Sequence, residues 1–330
     1  MSLAGAVRGA VSATTAGPEE SVRAMAAGPA AGLPTREHPR GNEPIRTLLE
    51  APVESGPVRA VRRPSGLVHG YDGSLAIPLA QDRPVLIANF ATALDGAVAM
   101  DRDGRTSGGD VSGFSPTDRF VMGLLRAVAD TVIVGAGTVR GSSGRAWTPE
   151  AVCPTHSEDY AELRRDLGLA RQATTLIVTA TGDLDPGRPA LVRPRAPTIV
   201  AGPAAAIARL RAAGLPDEIV MRTIGEDGGL GSEGLAALLA DLGGRVALFE
   251  GGPRLFGAFL AANLVDELFL TLAPQLVGRS DRAPRLALVE ESVLWPELPR
   301  WAELRSVRSV GSHLLLRYRL RERDRSSSAP

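Results

Sequence analysis

"VALFEGGPRLFGAFLAANLVDELFLTLAPQLVG", residues Val246 to Gly278, is the stretch on which the fold turns. Val246–Phe249 has the length and composition of a buried strand, and Leu255–Leu264 carries apolar residues at helical spacing. Between them stand Glu250, Gly251, Gly252 and Pro253, so the glycines sit at a strand-to-helix turn. Glycine destabilises regular structure, and a pair of them marks a place where bare backbone is wanted. Proline at position 253 suits the first helical position, where its missing N–H has no partner to lose. The free N–H groups and the helix dipole then face whatever lies above the turn, as they do where phosphates bind. A second explanation stays open here: the glycines could serve only to let the helix pack close to its sheet.

Working outward, the same alternation of apolar run and helical pattern extends back to Pro84. "PVLIANFA", "TVIVGAG", "TTLIVTA", "PTIVAG", "EIVMRTIG" and "RVALFEGG" read as strands, with "SPTDRFVMGLLRAVAD", "PAAAIARLRAAG" and "SEGLAALLADLGG" as helices. This βα order predicts a mostly parallel sheet with helices on both faces. The C-terminal runs "ELFLTLAPQLVG" and "AELRSVRSVGSHLLLRYRLRER" lack a helix between the last two strands, which predicts an antiparallel edge turning at Gly311-Ser312. Residues 1–45, rich in Ala, Gly, Pro and Ser, read as a disordered tail; 46–83 read as an irregular lead-in, 84–323 as the folded domain and 324–330 as a second tail.

Composition narrows the function. The chain has 330 residues, zero formal net charge, 44% hydrophobic and 4% aromatic residues, which fits a globular protein that binds a small molecule. It offers neither a basic face for nucleic acid nor an apolar run long enough to span a membrane. Cys153 is the sole cysteine, and four scattered histidines show no metal-ligand spacing, so a disulfide framework and a metal centre are not expected. A cytoplasmic setting fits, and nothing near the N-terminus resembles a signal-peptide apolar core. All 37 basic residues are arginine. Without a lysine amine, Schiff-base, pyridoxal-phosphate and P-loop chemistry are excluded.

One helix start is unusually clear, with Ser115 as N-cap, Pro116 at the first position and Asp118 in the first turn. Its apolar stripe is Phe120, Leu124 and Val128. Arg126 lies off that stripe, where a solvated charge is the ordinary expectation.

Four motifs, "NFATALDG" (89–96), "LLRAVADTVIVGAGTVR" (124–140), "LIVTATGDLD" (176–185) and "LFEGGPRLFGAFLAANLVDELFLTLAPQLVG" (248–278), together resemble the reductase domain of bacterial riboflavin biosynthesis. The resemblance covers about residues 84–320 and implies a dihydrofolate-reductase-like fold. It implies NADPH as cofactor, with its phosphates against the turn Gly251, Gly252, Pro253, Arg254 and Leu255. Thr138, Ser142 and Thr181 match its other cofactor-binding positions, although the family commonly has aspartate where this chain has Ser142. Glu250 and Arg126 match substrate contacts, the arginine meeting the phosphorylated substrate through a guanidinium fork suited to phosphate. Thr106 and Ser115 are further substrate candidates, in a loop longer than the family's. Asp95, otherwise a plain turn residue, lies where the family's cofactor and substrate meet. No His, Lys or Tyr in these motifs offers a proton, which leaves Asp95, Glu250 or water as catalytic acid.

The activity implied is NADPH-dependent reduction of a 5-phosphoribosylamino pyrimidine to the ribitylamino compound by a homodimer. Reduction of dihydrofolate or another pterin on the same fold is the alternative, and a non-catalytic nucleotide-binding protein is a third reading. A zinc deaminase often precedes this domain in the family. With one cysteine, this chain cannot form the P-C-x-x-C half of its signature.

Overall fold

The structure is a computed structural model; it describes residues 44–52, 56–68, 70–100, 108–142, 146–225, 230–281 and 283–321. Thr106 lies outside the described residues, as do segments 1–43 and 322–330, which hold the expected C-terminal tail and all but the last two residues of the expected N-terminal one; Ile45, expected in that tail, is buried in the core.

The strands are β1 (Arg46–Glu50), β2 (Val58–Ala60), β3 (Ala76–Pro78), β4 (Val85–Ala93), β5 (Ala97–Ala99), β6 (Thr131–Gly135), β7 (Thr174–Val178), β8 (Thr198–Gly202), β9 (Val220–Thr223), β10 (Val246–Phe249), β11 (Glu267–Ala273), β12 (Leu286–Ala287), β13 (Ala302–Val310) and β14 (His313–Leu320). Helices of six or more residues are α1 (Pro116–Val128), α2 (Ala136–Gly141), α3 (Ser157–Asp166), α4 (Ala204–Ala212), α5 (Ser232–Asp241) and α6 (Pro253–Ala261). Ten strands form one sheet in the order β1-β13-β14-β11-β4-β10-β6-β7-β8-β9. From β11 to β9 every neighbouring pair is parallel. β14, β13 and β1 complete the sheet in antiparallel fashion, turning at Gly311 with φ of 52°. The expected fold class is therefore the observed one.

The parallel strands are continuous apolar runs because both faces are covered. Every residue of β6 and β10 is buried. Along β10 the side chains alternate, Val246 and Leu248 joining the core that holds α1, Ala247 and Phe249 the core that holds α5 and α6. Glu250 is next in that alternation, so it falls on the α1 side.

The segment expected as an irregular lead-in carries structure. β1 pairs with β13 through Arg46↔Ser309 to Glu50↔Ser306, and β2 and β3 form a small hairpin of their own. Arg308, 2% exposed, ties these pieces together: its guanidinium lies 4.3 Å from the Tyr71 ring centroid and donates to Glu50 and to the Asp72 carbonyl.

Candidate active site

Chain order and sheet order part company at β10. It follows β9 in sequence but lies between β4 and β6, and its connection to β11 leaves in the direction opposite to those from β4 to β6 and from β6 to β7, the arrangement that opens a crevice at the strands' C-terminal ends. Two turns meet there, β10 into α6 and β6 into α2. Both helices have a glycine N-cap, Gly252 and Gly135, with no side-chain capping bond, and first-turn N–H groups have no acceptor within their own helix.

The glycine pair divides between the two explanations left open above. A Cβ on Gly251 would lie 2.5 Å from the Gly135 nitrogen and 3.0 Å from the Val134 carbonyl carbon, so this glycine lets β10 and β6 close on each other. A Cβ on Gly252 would meet only Thr138 Oγ1, at 3.4 Å. Gly251 is a packing glycine and Gly252 faces open space beside Thr138. Around them Pro253 is buried at the first helical position, and Leu255 is buried against Gly135. Arg254 is exposed and bound to Glu291 at 2.6 Å.

Glu250 does not stand free. Arg126 Nε donates to its two carboxylate oxygens at 3.0 and 3.1 Å, Arg126 Nη2 donates to Oε2 at 2.6 Å, and Nη1 donates to the Thr148 carbonyl at 3.1 Å. The side chains are 8% and 6% exposed. Arg126 is thus buried rather than solvated, because its off-stripe direction on α1 points across the core to the end of β10.

The remaining expected residues lie on turns and helices that flank the strands. Thr138 lies in the first turn of α2 beside Gly252; Ser142 caps the end of that helix, its hydroxyl donating to the Val139 carbonyl at 2.9 Å. Thr181 is exposed after β7, its hydroxyl accepting from the Asp183 amide. Arg140 pairs with Asp183 at 3.3 Å. Ser115 caps α1, accepting from the Asp118 amide at 3.3 Å, and is buried in that role. Asp95, one of the three expected candidates for the proton source, is engaged by backbone amides. Its Oδ2 accepts from the amides of Gly278 at 2.7 Å and Val277 at 3.0 Å, and those bonds, Gly278's first, hold the carboxyl below the usual aspartate range. An aspartate kept as an anion has no proton to give at neutral pH, and here it anchors the loop after β11.

Asp118 is the functional candidate that the sequence concealed. As a first-turn acid it read as a dipole partner, yet it is 5% exposed. Burial pushes its carboxyl up, hydroxyl hydrogen bonds from Thr271 and Ser112 and the nearby His313 oppose this, and Glu250 adds to it. His313 itself contacts the Ser112 carbonyl at 3.0 Å. No spacing rule brings residues from α1, β11 and β14 together; only the sheet order does. Among the described residues no cluster of His, Cys, Asp or Glu could hold a metal, and no helix is long and apolar enough to cross a membrane.

The RibD C-terminal domain family matches residues 84–315. No curated protein sequence matches the chain. Among solved structures, a pyrimidine reductase-like protein from Corynebacterium diphtheriae is similar at a TM-score of 0.54 and 19% identity, covering 73% of this chain and 94% of that one. Acinetobacter baumannii RibD is similar at 0.53 and 22%, covering 73% and 59%. The Thermotoga maritima diaminohydroxyphosphoribosylaminopyrimidine deaminase/5-amino-6-(5-phosphoribosylamino)uracil reductase is similar at 0.51 and 21%, covering 72% and 56%. The chain thus spans under two thirds of the length of the last two, and these likenesses speak for the fold. With the matched segment running from the first parallel strand into β14, this chain belongs to the RibD C-terminal domain family.

Proposed function

We propose that the chain is an NADPH-dependent reductase that converts a 5-phosphoribosylamino pyrimidine to the ribitylamino compound. The observation that carries the reading is the pairing, at one switch point, of two uncapped helix starts with a buried carboxylate, Glu250, on the α1 side of the crevice. The residues present fit a dinucleotide: Gly252 leaves the room that a Cβ would fill, Thr138 offers a hydroxyl beside it, and the first-turn N–H groups of α6 suit a phosphate. NADPH held there would supply the hydride that the reduction of the ribose requires. Glu250 meets the pyrimidine's N–H donors and fixes the ring. A proton must accompany the hydride. Asp118 is the carboxyl that burial favours in its neutral form, which makes it a better candidate source than Asp95.

Dihydrofolate or another pterin would present a similar ring edge to the same carboxyls, and a non-catalytic nucleotide-binding protein would keep the cofactor contacts alone. NADPH oxidation assayed with the phosphoribosylamino pyrimidine and with dihydrofolate separates the three. Turnover of the first alone is expected, and turnover of dihydrofolate alone would move the assignment to pterins. The same reading places the protein in the cytoplasm as a homodimer, and a monomeric mass in light scattering at micromolar concentration would count against that assembly.

A further inference from the structure

β10 ends at Phe249, paired with Ala88, while β4 runs on beside β11 to Ala93. Asn89 is therefore the first residue of β4 past the β10 ladder, level with Glu250. Along β4, Val85 and Ile87 join the core that holds α1, and Leu86 and Ala88 the core that holds α5 and α6. Asn89 is next in that alternation and falls on the α1 side, the side on which Glu250 lies. Neighbouring strands run about 4.8 Å apart, which sets the two side chains next to each other where the crevice begins.

Asn89 is 8% exposed, and among the described residues its carboxamide has no hydrogen-bond partner. Nor is the amide sealed in, for its polar atoms keep a narrow opening at the level where the crevice starts. A buried amide without a partner has given up its bonds to water for nothing, and such groups are rare in folded proteins. Packing does not explain it, since the strand positions before it on the same face are filled by Val85 and Ile87.

The chemistry of the neighbour suggests what the amide meets. An ionised carboxylate accepts hydrogen bonds and donates none, so Glu250 can take a ring N–H but has nothing to offer a ring carbonyl. A carboxamide carries the missing donor. The anion beside it turns the amide dipole so that Nδ2 faces the Glu250 side. Side by side, the two present an acceptor and a donor, the complement of a lactam edge, an N–H next to a C=O.

We infer that Asn89 is a substrate-binding residue whose amide N–H donates to the ring carbonyl adjacent to the N–H that Glu250 accepts. This rests on Glu250 being the ring's ligand. The pair selects rings with a lactam edge, and a ring with an amino group in place of that carbonyl sets two donors against each other.

The test compares wild type with Asn89→Leu, which keeps the shape of the side chain and removes the amide. Asn89→Ala, which removes it without adding atoms, is assayed alongside in case the branched side chain does not fit. With NADPH saturating, kcat/KM for the phosphoribosylamino pyrimidine should fall about five- to fiftyfold, chiefly through KM, and NADPH affinity by calorimetry should not change. Unchanged kcat/KM, or a loss traced to weaker NADPH binding, would overturn the inference. Binding of free rings to the NADP+-saturated protein stands apart from turnover. Diaminouracil and dihydrofolate both carry the lactam edge, and whichever of them binds wild type should bind the variants more weakly by a similar factor. Tetraaminopyrimidine, which has no ring carbonyl, should bind wild type and variants alike. That pattern upholds the role of Asn89 even if the phosphoribosylamino pyrimidine is not reduced and the proposed function fails. Equal affinity of the lactam rings for wild type and variants, or no binding of either by wild type, overturns it, while the rate assay still decides the proposed function.

Discussion

Glu250 and Glu267 are both buried against an arginine, and the contrast between them shows what marks a site. Glu267 opens β11; Arg317 on β14 grips it with Nε at 3.0 Å and Nη2 at 2.8 and 2.9 Å, while also donating to the Ala76 carbonyl and lying over the Phe269 ring. Burial pushes the Glu267 carboxyl up and Arg317 opposes the rise. Glu250 has a pair of similar distances and similar burial. The difference is position. Glu267 lies at the start of a strand, between parallel β4 and antiparallel β14, whereas Glu250 lies just past the end of one, followed by an uncapped helix start. A buried ion pair is weak evidence for either stability or function, and the strand end carries the functional assignment.

The largest expected effect falls on the pair in the sheet. Arg317→Leu leaves Glu267 buried without its main partner and should cost about 3–5 kcal/mol in chemical denaturation. The protein that remains folded should keep its kcat/KM, and a stable but inactive Arg317→Leu variant would exchange the roles of the two pairs. Glu250→Gln also leaves a buried partner, Arg126, without its counter-charge, but unlike Arg317→Leu it should lower substrate turnover, losing charge-assisted bonds worth roughly 1.5–3 kcal/mol, with NADPH affinity unchanged. If calorimetry instead showed weakened NADPH and normal turnover at saturating cofactor, Glu250 would belong to the turn rather than to the substrate.

Smaller effects sharpen the division within the glycine pair. Gly251→Ala forces a methyl into the β6 backbone and should cost about 1–3 kcal/mol in urea denaturation. Gly252→Ala should stay within about 0.5 kcal/mol of wild type and weaken NADPH binding instead. Equal stability losses at the two positions would mean both glycines serve packing. The smallest effect concerns pH. Because folding raises the Asp118 pKa, the stability held by its neutral form is present below the ordinary aspartate range and is lost as pH rises through the raised value. Asp118→Asn has no proton to lose, so its stability relative to wild type should grow as pH rises from about 4. A flat difference across a pH series of urea melts would show that Asp118 ionises normally.

Most of the sheet was legible because the central parallel strands, β4, β6, β7, β8 and β10, are mostly buried on both faces and so write themselves as apolar runs. α1 announced its start through Ser115 and Pro116, and the antiparallel edge followed from two strands with no helix between them. β1 was not legible: "RTLLE" is mostly exposed and has no alternation to read. The site was legible at its turns and opaque at its contacts. Arg126 and Glu250 are 124 residues apart, and the only local sign, a charge off the apolar stripe, pointed to solvent. Gly251 and Gly252 are adjacent in sequence but separated in role by Gly135, which no local pattern reveals. Asp95 looked like a turn residue and is one, with the added duty of holding residues 277 and 278.

The place of β10 between β4 and β6 also sets when the crevice can come into being. β4 and the strands from β6 to β9 leave the ribosome first, and the central position among them is filled only when residues 246–249 have been made. Pairings of such long sequence separation are slow to form, so for that interval β4 and β6 each present an unsatisfied edge open to a wrong partner. Nucleotide cannot shelter the nascent chain during that interval, because the turn that would hold it arrives with the strand that closes the gap.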